Sequence, residues 1–342
     1  MSSLPTSQTV VAEDWVGLLT AYCLHQAGHS VTLLWVPNSN EIPKTLLLEG
    51  LTPWRETSTP DAKERRIFDF LLSQLEETTA EKKGLLCLDV ASAAELEAAE
   101  QWIMSDATHE SDLQVMDEKV WVNLEPRLMS GAKMAIWRPD AAELSQSVFE
   151  QNMLDVLSQQ GVDICLLEAL PKVSQENQRV HSLTSFCGQE WFIDSMILTS
   201  THLAQVVLPN AFPQSSADSL VSIFSVHPGF LKHLVQVNGL LLMPQEDGYL
   251  SVRRKPSSGS NVELIDAETQ LWEALQDVYP EMGMFEPLES VFLAEKQFAA
   301  LSSVFENVAI VSADYGDGML QTFHHIMQFS KQLSDRDYSL PQ

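Results

Sequence analysis

The chain has little glycine and little basic charge, and each shortage narrows what it can be. Only 14 of its 342 residues are glycine, about 4% against a usual 7% or so, so glycine-rich loops are scarce. Lysine and arginine total 20 against 47 for aspartate and glutamate, for a formal charge of −27. A surface this acidic repels phosphate backbones and anionic lipids, so we expect neither a nucleic-acid nor a membrane partner. The charge serves either solubility or attraction to a basic protein partner.

Long apolar runs and closely spaced cysteines are also missing. No stretch approaches the roughly 20 apolar residues of a membrane span. Met1 to Gln8 has neither the basic residues nor the apolar core of a signal peptide, so we expect a cytoplasmic protein. Cys23, Cys87, Cys165 and Cys187 lie far apart without CxxC spacing. This spacing favours buried free thiols over disulfides or metal ligands.

What remains is the composition of a globular protein. Apolar residues make up 45% of the chain and charged residues 20%, which excludes a disordered chain. A length above roughly 250–300 residues indicates two domains.

The stretch Thr9–Trp35 organises the rest of the chain. Thr9 to Val11 is a short β-rich run, Val16 to Ala27 carries apolar residues at helical spacing, and Ser30 to Val36 reads as a second buried strand. Gly28 is placed to end the helix. This is the βαβ pattern of a dinucleotide-binding sheet.

The sequence of this stretch resembles the N-terminal segment of the FAD-dependent amino acid oxidases of the glycine oxidase and D-amino acid oxidase family. That family carries G-x-G-x-x-G after its first strand, and the corresponding positions here are Ala12, Asp14 and Gly17. The third glycine lets helix and strand pack closely, whereas the first two form the tight turn and admit the pyrophosphate. The resemblance therefore implies a preserved fold and a degenerate cofactor turn.

Two substitutions in or beside this turn oppose the binding of FAD. Asp14 falls where the pyrophosphate would lie, with Glu13 beside it, and like charges about 4 Å apart repel by roughly 4 kcal/mol at an effective dielectric near 20. Trp35 stands where the family places an acid for the ribose hydroxyls, at a cost of roughly 1.5–3 kcal/mol. Trp15 either fills the space of the missing nucleotide or is an exposed anchor for a partner.

The order of later segments also resembles the family. Val120–Leu128 is similar to its leucine-glutamate-proline segment, and Thr199-Ser200-Thr201 replaces a small A-x-G ending. The predicted fold is α/β, with a Rossmann-like FAD/NAD(P)-binding-type domain and an inserted α+β antiparallel-sheet substrate domain. We assign residues 1–60, 138–210 and 300–335 to the first domain, and 61–137 and 211–299 to the second.

Two further family positions are altered. Gln297 stands where the resemblance places an arginine that grips the substrate carboxylate, so the clamp is expected to be absent. Near the C-terminus Gly316 and Gly318 remain from the last glycine loop, with Asp314 and Asp317 beside them. These acids either cap the following helix or discourage an anion there.

Other candidate groups are less specific. Arg253, Arg254 and Lys255 form the one dense basic cluster, which is either a solvated strand end or a receiver for a small anion. His324 and His325 are adjacent on a helix and diverge by about 100°, which is poor for joint metal binding. We expect one histidine in the core and one exposed.

The sequence therefore predicts a degenerate FAD-dependent amino acid oxidase-like protein that binds no FAD in the usual mode. Only a remnant of the cofactor site is expected, at Ala12, Asp14, Gly17, Trp35, Gly316 and Gly318. No catalytic residue, metal or cofactor is predicted. The role would be that of a non-catalytic binding or assembly subunit, partnered by a catalytic relative or a basic protein. The alternatives are an active FAD-dependent amine or amino acid oxidoreductase with an atypical loop, and a different small ligand in the interdomain cleft.

Overall fold

A computed structural model describes residues 7–37, 45–48, 60–75, 81–89, 97–98, 101, 113–139, 141–208, 219–245, 248–254, 264–293, 298–301, 304–312 and 318–337. Lys255, Gln297, Asp314, Gly316 and Asp317 from the sequence predictions lie outside these ranges.

The first sheet is mainly parallel. Its strands are β1 (Ser7–Ala12), β2 (Ser30–Trp35), β9 (Asp163–Leu166), β13 (Ser195–Leu198), β19 (Phe298–Leu301) and β20 (Val308–Ser312). They lie in the order β19-β20-β13-β1-β2-β9, and only β19 runs antiparallel to its neighbour. A parallel sheet of this kind needs helical crossovers and burial of both faces.

The helices of the described ranges are α1 (Trp15–Gln26), α2 (Ala62–Gln74), α3 (Glu118–Trp121), α4 (Gln146–Gln159), α5 (Thr201–Val207), α6 (Leu264–Val278) and α7 (Gly318–Asp337), with a 3₁₀ turn at Pro280–Met284. Helices α1, α4 and α7 cover one face of the parallel sheet. Helix α1 packs on α4 and α7. Their side chains form one core with the sheet, so α1 is buried along almost its whole length.

The predicted first βαβ unit is confirmed, with β1 and β2 parallel and α1 between them. The helix ends as its glycine predicts. Gly28 has φ of 90°, and the His29 amide donates to the Leu24 carbonyl at 3.1 Å. This is a Schellman ending, which the left-handed conformation of glycine permits.

The second sheet is mainly antiparallel. Its strands are β5 (Leu85–Cys87), β6 (Gln114–Asp117), β7 (Met134–Arg138), β14 (Ser219–Ser225), β15 (Leu234–Val237), β16 (Leu240–Pro244), β17 (Tyr249–Arg254) and β18 (Pro287–Leu293). Their order is β18-β14-β17-β16-β15-β5-β7-β6, with one parallel pair between β15 and β5. Helix α6 packs on one face through Leu271, Leu275 and Val278. The predicted fold class, a parallel α/β sheet combined with an antiparallel sheet, is confirmed.

Two three-stranded sheets complete the fold. One consists of β10 (Lys172–Glu176), β11 (Arg179–Thr184) and β12 (Glu190–Phe192), and its inner face packs on the parallel sheet. The other consists of β3 (Thr45–Leu47), β4 (Glu81–Lys82) and β8 (Ala142–Ser145). The first is the meander that short β-rich runs around Val173, Val180 to Leu183 and Trp191 to Ile193 predict. The second joins the segment after β2 to the start of α4.

Some local predictions need correction. Helical spacing between Asp61 and Glu76 predicts an inward face with Ile67, Phe70, Leu71 and Leu75. Phe70 is instead 59% exposed, and Phe68 is buried. Helical spacing sets Glu64, Phe68, Leu71 and Leu75 on one face, and Phe70 falls outside it. All four cysteines are free as expected. Cys187 is nevertheless exposed, because it lies in a turn between two strands of the meander.

The contact between α1 and β1 depends on Gly17. A β-carbon at position 17 would lie 2.1 Å from the Ala12 β-carbon and 3.0 Å from the Thr199 hydroxyl. Real β-carbons do not approach so closely, so the helix would have to move away from the sheet. Gly17 therefore performs the packing role of the third glycine in the motif.

We predict that Gly17→Ala destabilises the chain by about 1–3 kcal/mol, the usual cost of overpacking a core. Urea denaturation measures the change. Gly131→Ala is the matched control, because a β-carbon there meets nothing within 4 Å. Adding Ala12→Gly to Gly17→Ala removes the nearest clashing atom and should restore part of the loss. Equal effects at positions 17 and 131 would contradict this account.

Candidate functional site

The turn between β1 and α1 is built around the carboxylate of Asp14. Asp14 is extended, with φ of −147°, and its Oδ1 accepts hydrogen bonds from the amides of Val16 at 3.1 Å and Gly17 at 3.4 Å. The first amides of a helix have no acceptor within the helix. Asp14 is thus the N-cap, and its negative charge lies at the positive end of the helix dipole.

The side chain of the adjacent acid, Glu13, is held by a residue that follows β13, the neighbour of β1 in the sheet. Glu13 accepts a hydrogen bond from the Ser200 hydroxyl at 2.9 Å. The same hydroxyl accepts from the Leu203 amide at 2.9 Å and caps α5. Thr199 donates its hydroxyl to the Val11 carbonyl. The side chains that replace the small A-x-G ending therefore bind β1 and the residue that follows it.

Both tryptophans at this end of the sheet are buried. Trp15 is 1% exposed and Trp35 is 4% exposed, and both belong to the core around α1. Trp35 pairs with Ala12 across the two parallel strands. Burial excludes the role of an exposed anchor for Trp15.

The remaining predicted positions are Gly316 and Gly318. Gly318 begins α7 with φ of 76°, a conformation that favours glycine, and Gly316 lies outside the described residues. Ala12, Asp14, Gly17 and Trp35 meet at the β1–α1 turn.

The bulky residues after the second strand are inserted between the two sheets. Leu46 lies in the core around α1. Leu47 packs with Leu85, Leu234 and Leu241 of the antiparallel sheet. Because neighbouring strand residues point to opposite faces, β3 joins two cores at once.

Burial, and after it the charges of Glu13 and Glu150, raise the pKa of Asp14 to about 7, against the lowering effect of the two amide hydrogen bonds. Glu150 lies one turn along α4 and accepts a hydrogen bond from Gln146 Nε2 at 2.7 Å. Sequence reasoning missed Glu150. No local pattern connects it with residue 14, and only the packing of α4 on α1 brings its charge to act on Asp14.

The basic cluster is divided by strand geometry. Arg253 is buried, and Arg254 is half-buried and donates to the Gln270 carbonyl of α6. Adjacent residues on β17 point to opposite faces of the sheet, so the two arginines do not act together. The prediction of a solvated strand end is wrong for Arg253.

A second buried charge cluster joins α2 to α7. Glu64 accepts from His324 Nδ1, and its other oxygen is 3.1 Å from Lys331 Nζ. His324 is buried, which matches the expectation that one of the two adjacent histidines lies in the core. His325 is half-buried and not exposed, since Gln321 holds its ring against the helix.

The described ranges hold neither a membrane-spanning helix nor a metal-binding group of side chains. No helix there is long and apolar enough to cross a membrane. In the same ranges no three His, Cys, Asp or Glu side chains are grouped so that they could hold a metal ion.

Comparison with known proteins identifies the fold. No protein-family model matches the chain, and no curated protein sequence matches it. Solved structures do match along nearly the whole length. The chain has the fold of the FAD-dependent amino acid oxidases.

Three of these structures illustrate the likeness. Glycine oxidase from Bacillus cereus is 13% identical, with 97% of this chain and 95% of that chain covered and a TM-score of 0.64. L-proline dehydrogenase from P. horikoshii is 12% identical, with 99% and 96% covered and a TM-score of 0.66. Fructosyl peptide oxidase from E. terrenum is 14% identical, with 100% and 91% covered and a TM-score of 0.65. At these identities the comparison establishes the fold.

We predict that Asp14→Asn stabilises the chain above pH 7. The folded-state pKa of about 7 exceeds the unfolded value of 3.8, so the protonated acid is the form that folding favours. This contribution to stability is complete below pH 3.8 and is lost as the pH rises through about 7. Each pH unit of that interval is worth about 1.36 kcal/mol, so the gain at pH 8 is roughly 4 kcal/mol at most.

Urea denaturation between pH 4 and pH 8 measures this effect. Asparagine caps a helix as well as aspartate does, so the variant keeps the hydrogen bonds and loses the charge. Asp155→Asn, on an exposed residue of α4, makes the same change of net charge and should leave the pH dependence unaltered. A pH profile for Asp14→Asn parallel to that of the unmodified chain would refute the assignment.

We also predict that Glu64→Gln costs about 1–3 kcal/mol, because it weakens the buried bonds to His324 and Lys331. Lys331→Met should cost less than about 1 kcal/mol, since the lysine is partly exposed and solvent screens its charge. Thermal unfolding at pH 7 ranks the two variants. The reverse order would show that the lysine, and not the histidine, sustains the cluster.

Proposed function

We propose that this chain is an oxidase-fold protein that does not hold FAD in the usual mode and acts as a non-catalytic binding or assembly subunit. The observation that carries the proposal is the Asp14 carboxylate, which accepts the first two amide hydrogen bonds of α1. Helix N-termini of this fold class bind the pyrophosphate of a dinucleotide through such amides.

The residues at the turn fit that pyrophosphate poorly, for two reasons. A phosphate would compete with Asp14 for the same amides and would face the negative charge of Glu13 as well. The Ala12 side chain also occupies the place where the motif has its first glycine, and no part of it is exposed. Charge and space both oppose the usual mode.

The ribose end of the site supports the same proposal. Trp35 is buried in the core at the end of β2. An indole ring has one N–H donor and no oxygen acceptor, so it cannot replace a carboxylate that accepts from sugar hydroxyls. The lost bond and the repulsion at Asp14 together approach about 6 kcal/mol, or roughly four decades of affinity.

A subunit role accounts for an intact fold with an altered turn. The likeness to oxidases extends over 91–96% of the chains named above. The partner would be a catalytic relative or a basic protein, because a formal charge of −27 favours association with a positive surface. A second polypeptide that co-purifies in a fixed ratio and dissociates at high salt would support this role.

The second candidate is an active FAD-dependent amine or amino acid oxidoreductase. The same coverage of oxidase structures favours it, since every main layer of the fold is kept. The two candidates differ in whether the purified chain carries flavin.

The proposal predicts a colourless protein that releases no FAD on denaturation. Combined Ala12→Gly, Asp14→Gly and Trp35→Glu substitutions should then raise FAD affinity, because they remove the charge and the bulk and supply the ribose acceptor. Quenching of flavin fluorescence measures the affinity, and circular dichroism checks that the variant folds.

Trp35→Glu alone is the control, since it adds the acceptor and leaves Asp14 in place. It should bind FAD more weakly than the triple variant. A yellow wild-type protein with FAD released in a one-to-one ratio would overturn the proposal.

A further inference from the structure

A cavity with a volume of about 750 Å³ lies between the meander and the end of α5. Its walls come from β10 and the turn before it, from the end of α5, and from the segment that precedes β20. The described lining residues are Leu170, Pro171, Lys172, Val173, Gln175, Val206, Val207, Leu208, Val304 and Phe305. Pockets that hold small organic ligands have volumes of about 300–1,000 Å³, so the space suits one such molecule.

The cavity is built on a different core from the one around α1. Val207 and Phe305 of its lining belong to the core between the parallel sheet and the meander. Strand residues of that core alternate with those of the core around α1, as Val11 does with Val10. The two cores therefore lie on opposite faces of the sheet. A ligand in the cavity lies across the sheet from α1, so the inference drawn from it does not depend on the proposed function.

The lining is largely apolar, and part of it contacts water. Apart from Lys172 and Gln175, every described lining residue is apolar. Val206 is 53% exposed and Val304 is 38% exposed. The transfer of such aliphatic surface out of water is favourable. The cavity is therefore suited to an aliphatic chain.

Lys172 is the only charged side chain of the described lining. An ammonium group donates hydrogen bonds and accepts none, and it binds an ionised acceptor more strongly than a neutral one. Gln175 of the same strand adds an amide that can donate as well. The chain as a whole repels anions, since its formal charge is −27. An anion that binds here must be held by this local cation and by an apolar part together.

We infer that the cavity binds an unbranched aliphatic carboxylate, with its chain along the valine and leucine side chains and its carboxylate at Lys172. The apolar lining accounts for the chain, and the lysine accounts for the head group. A cationic amphiphile would set two positive charges against each other. A small anion without a chain would leave the apolar lining in water.

Titration calorimetry with sodium octanoate at pH 7.5, below the concentration at which it forms micelles, tests the inference. The chain should bind octanoate saturably in a one-to-one ratio. 1-Octanol keeps the chain without the charge and should bind at least about tenfold more weakly, since a hydrogen bond to a charged group is lost. Sodium acetate keeps the head group without the chain and should give no measurable binding. The inference is overturned if octanoate does not bind saturably, or if either control binds as tightly.

Two lysine variants locate the head group. Lys172→Met should weaken octanoate binding at least about tenfold without weakening the binding of 1-octanol, because it removes the charge and keeps an apolar side chain. Lys119→Met is the matched control, since it makes the same change of net charge at an exposed lysine of α3, outside the lining. Equal losses of octanoate affinity in the two variants would mean that net charge governs binding, and the assignment to Lys172 would be wrong.

Two valine variants locate the chain. Val206→Asp places a negative charge in the apolar wall and should abolish octanoate binding. Val148→Asp, at a valine of α4 that is 39% exposed, is the matched control and should bind octanoate as the unmodified chain does. Circular dichroism checks that all four variants fold. Unchanged affinity in folded Val206→Asp would contradict the placement of the chain in this cavity.

Discussion

A helix that follows a parallel strand presents unpaired amides at its first turn, and an acceptor must meet them. In α1 that acceptor is the carboxylate of Asp14. The carboxylate is held in the interior by the helix that it caps, and burial works against its ionisation. The helix amides favour the ionised carboxylate and burial disfavours it, so these two effects oppose each other at this end of the sheet.

Packing and ligand binding are separate requirements in this motif. Gly17 is required by the distance between α1 and β1, which leaves no room for a β-carbon. Positions 12 and 14 have no such constraint when no phosphate approaches. Substitutions there leave the sheet order unchanged, so the fold of the oxidases persists at 12–14% identity.

Local patterns predicted the layers of the fold well. Alternation and helical spacing fixed the βαβ unit and the meander, because each depends on neighbours in the chain. The contact of Glu64 with His324 joins residues 260 positions apart, and no short pattern carries it. Only part of the surroundings of Asp14 could be predicted, because Glu13 is adjacent in sequence whereas Glu150 comes from α4. Trp15 allowed two roles, and its burial excludes the exposed anchor.

Net charge alone does not explain the acids at α1. Carboxylates that serve solubility lie on the surface, where water stabilises them. Asp14 is buried, and the two acids that act on it come from different segments of the chain. Repulsion among such groups lowers stability unless a proton or a cation offsets it. A proton offsets it for Asp14 below a pH of about 7, where the neutral acid still accepts the two amide hydrogen bonds of α1.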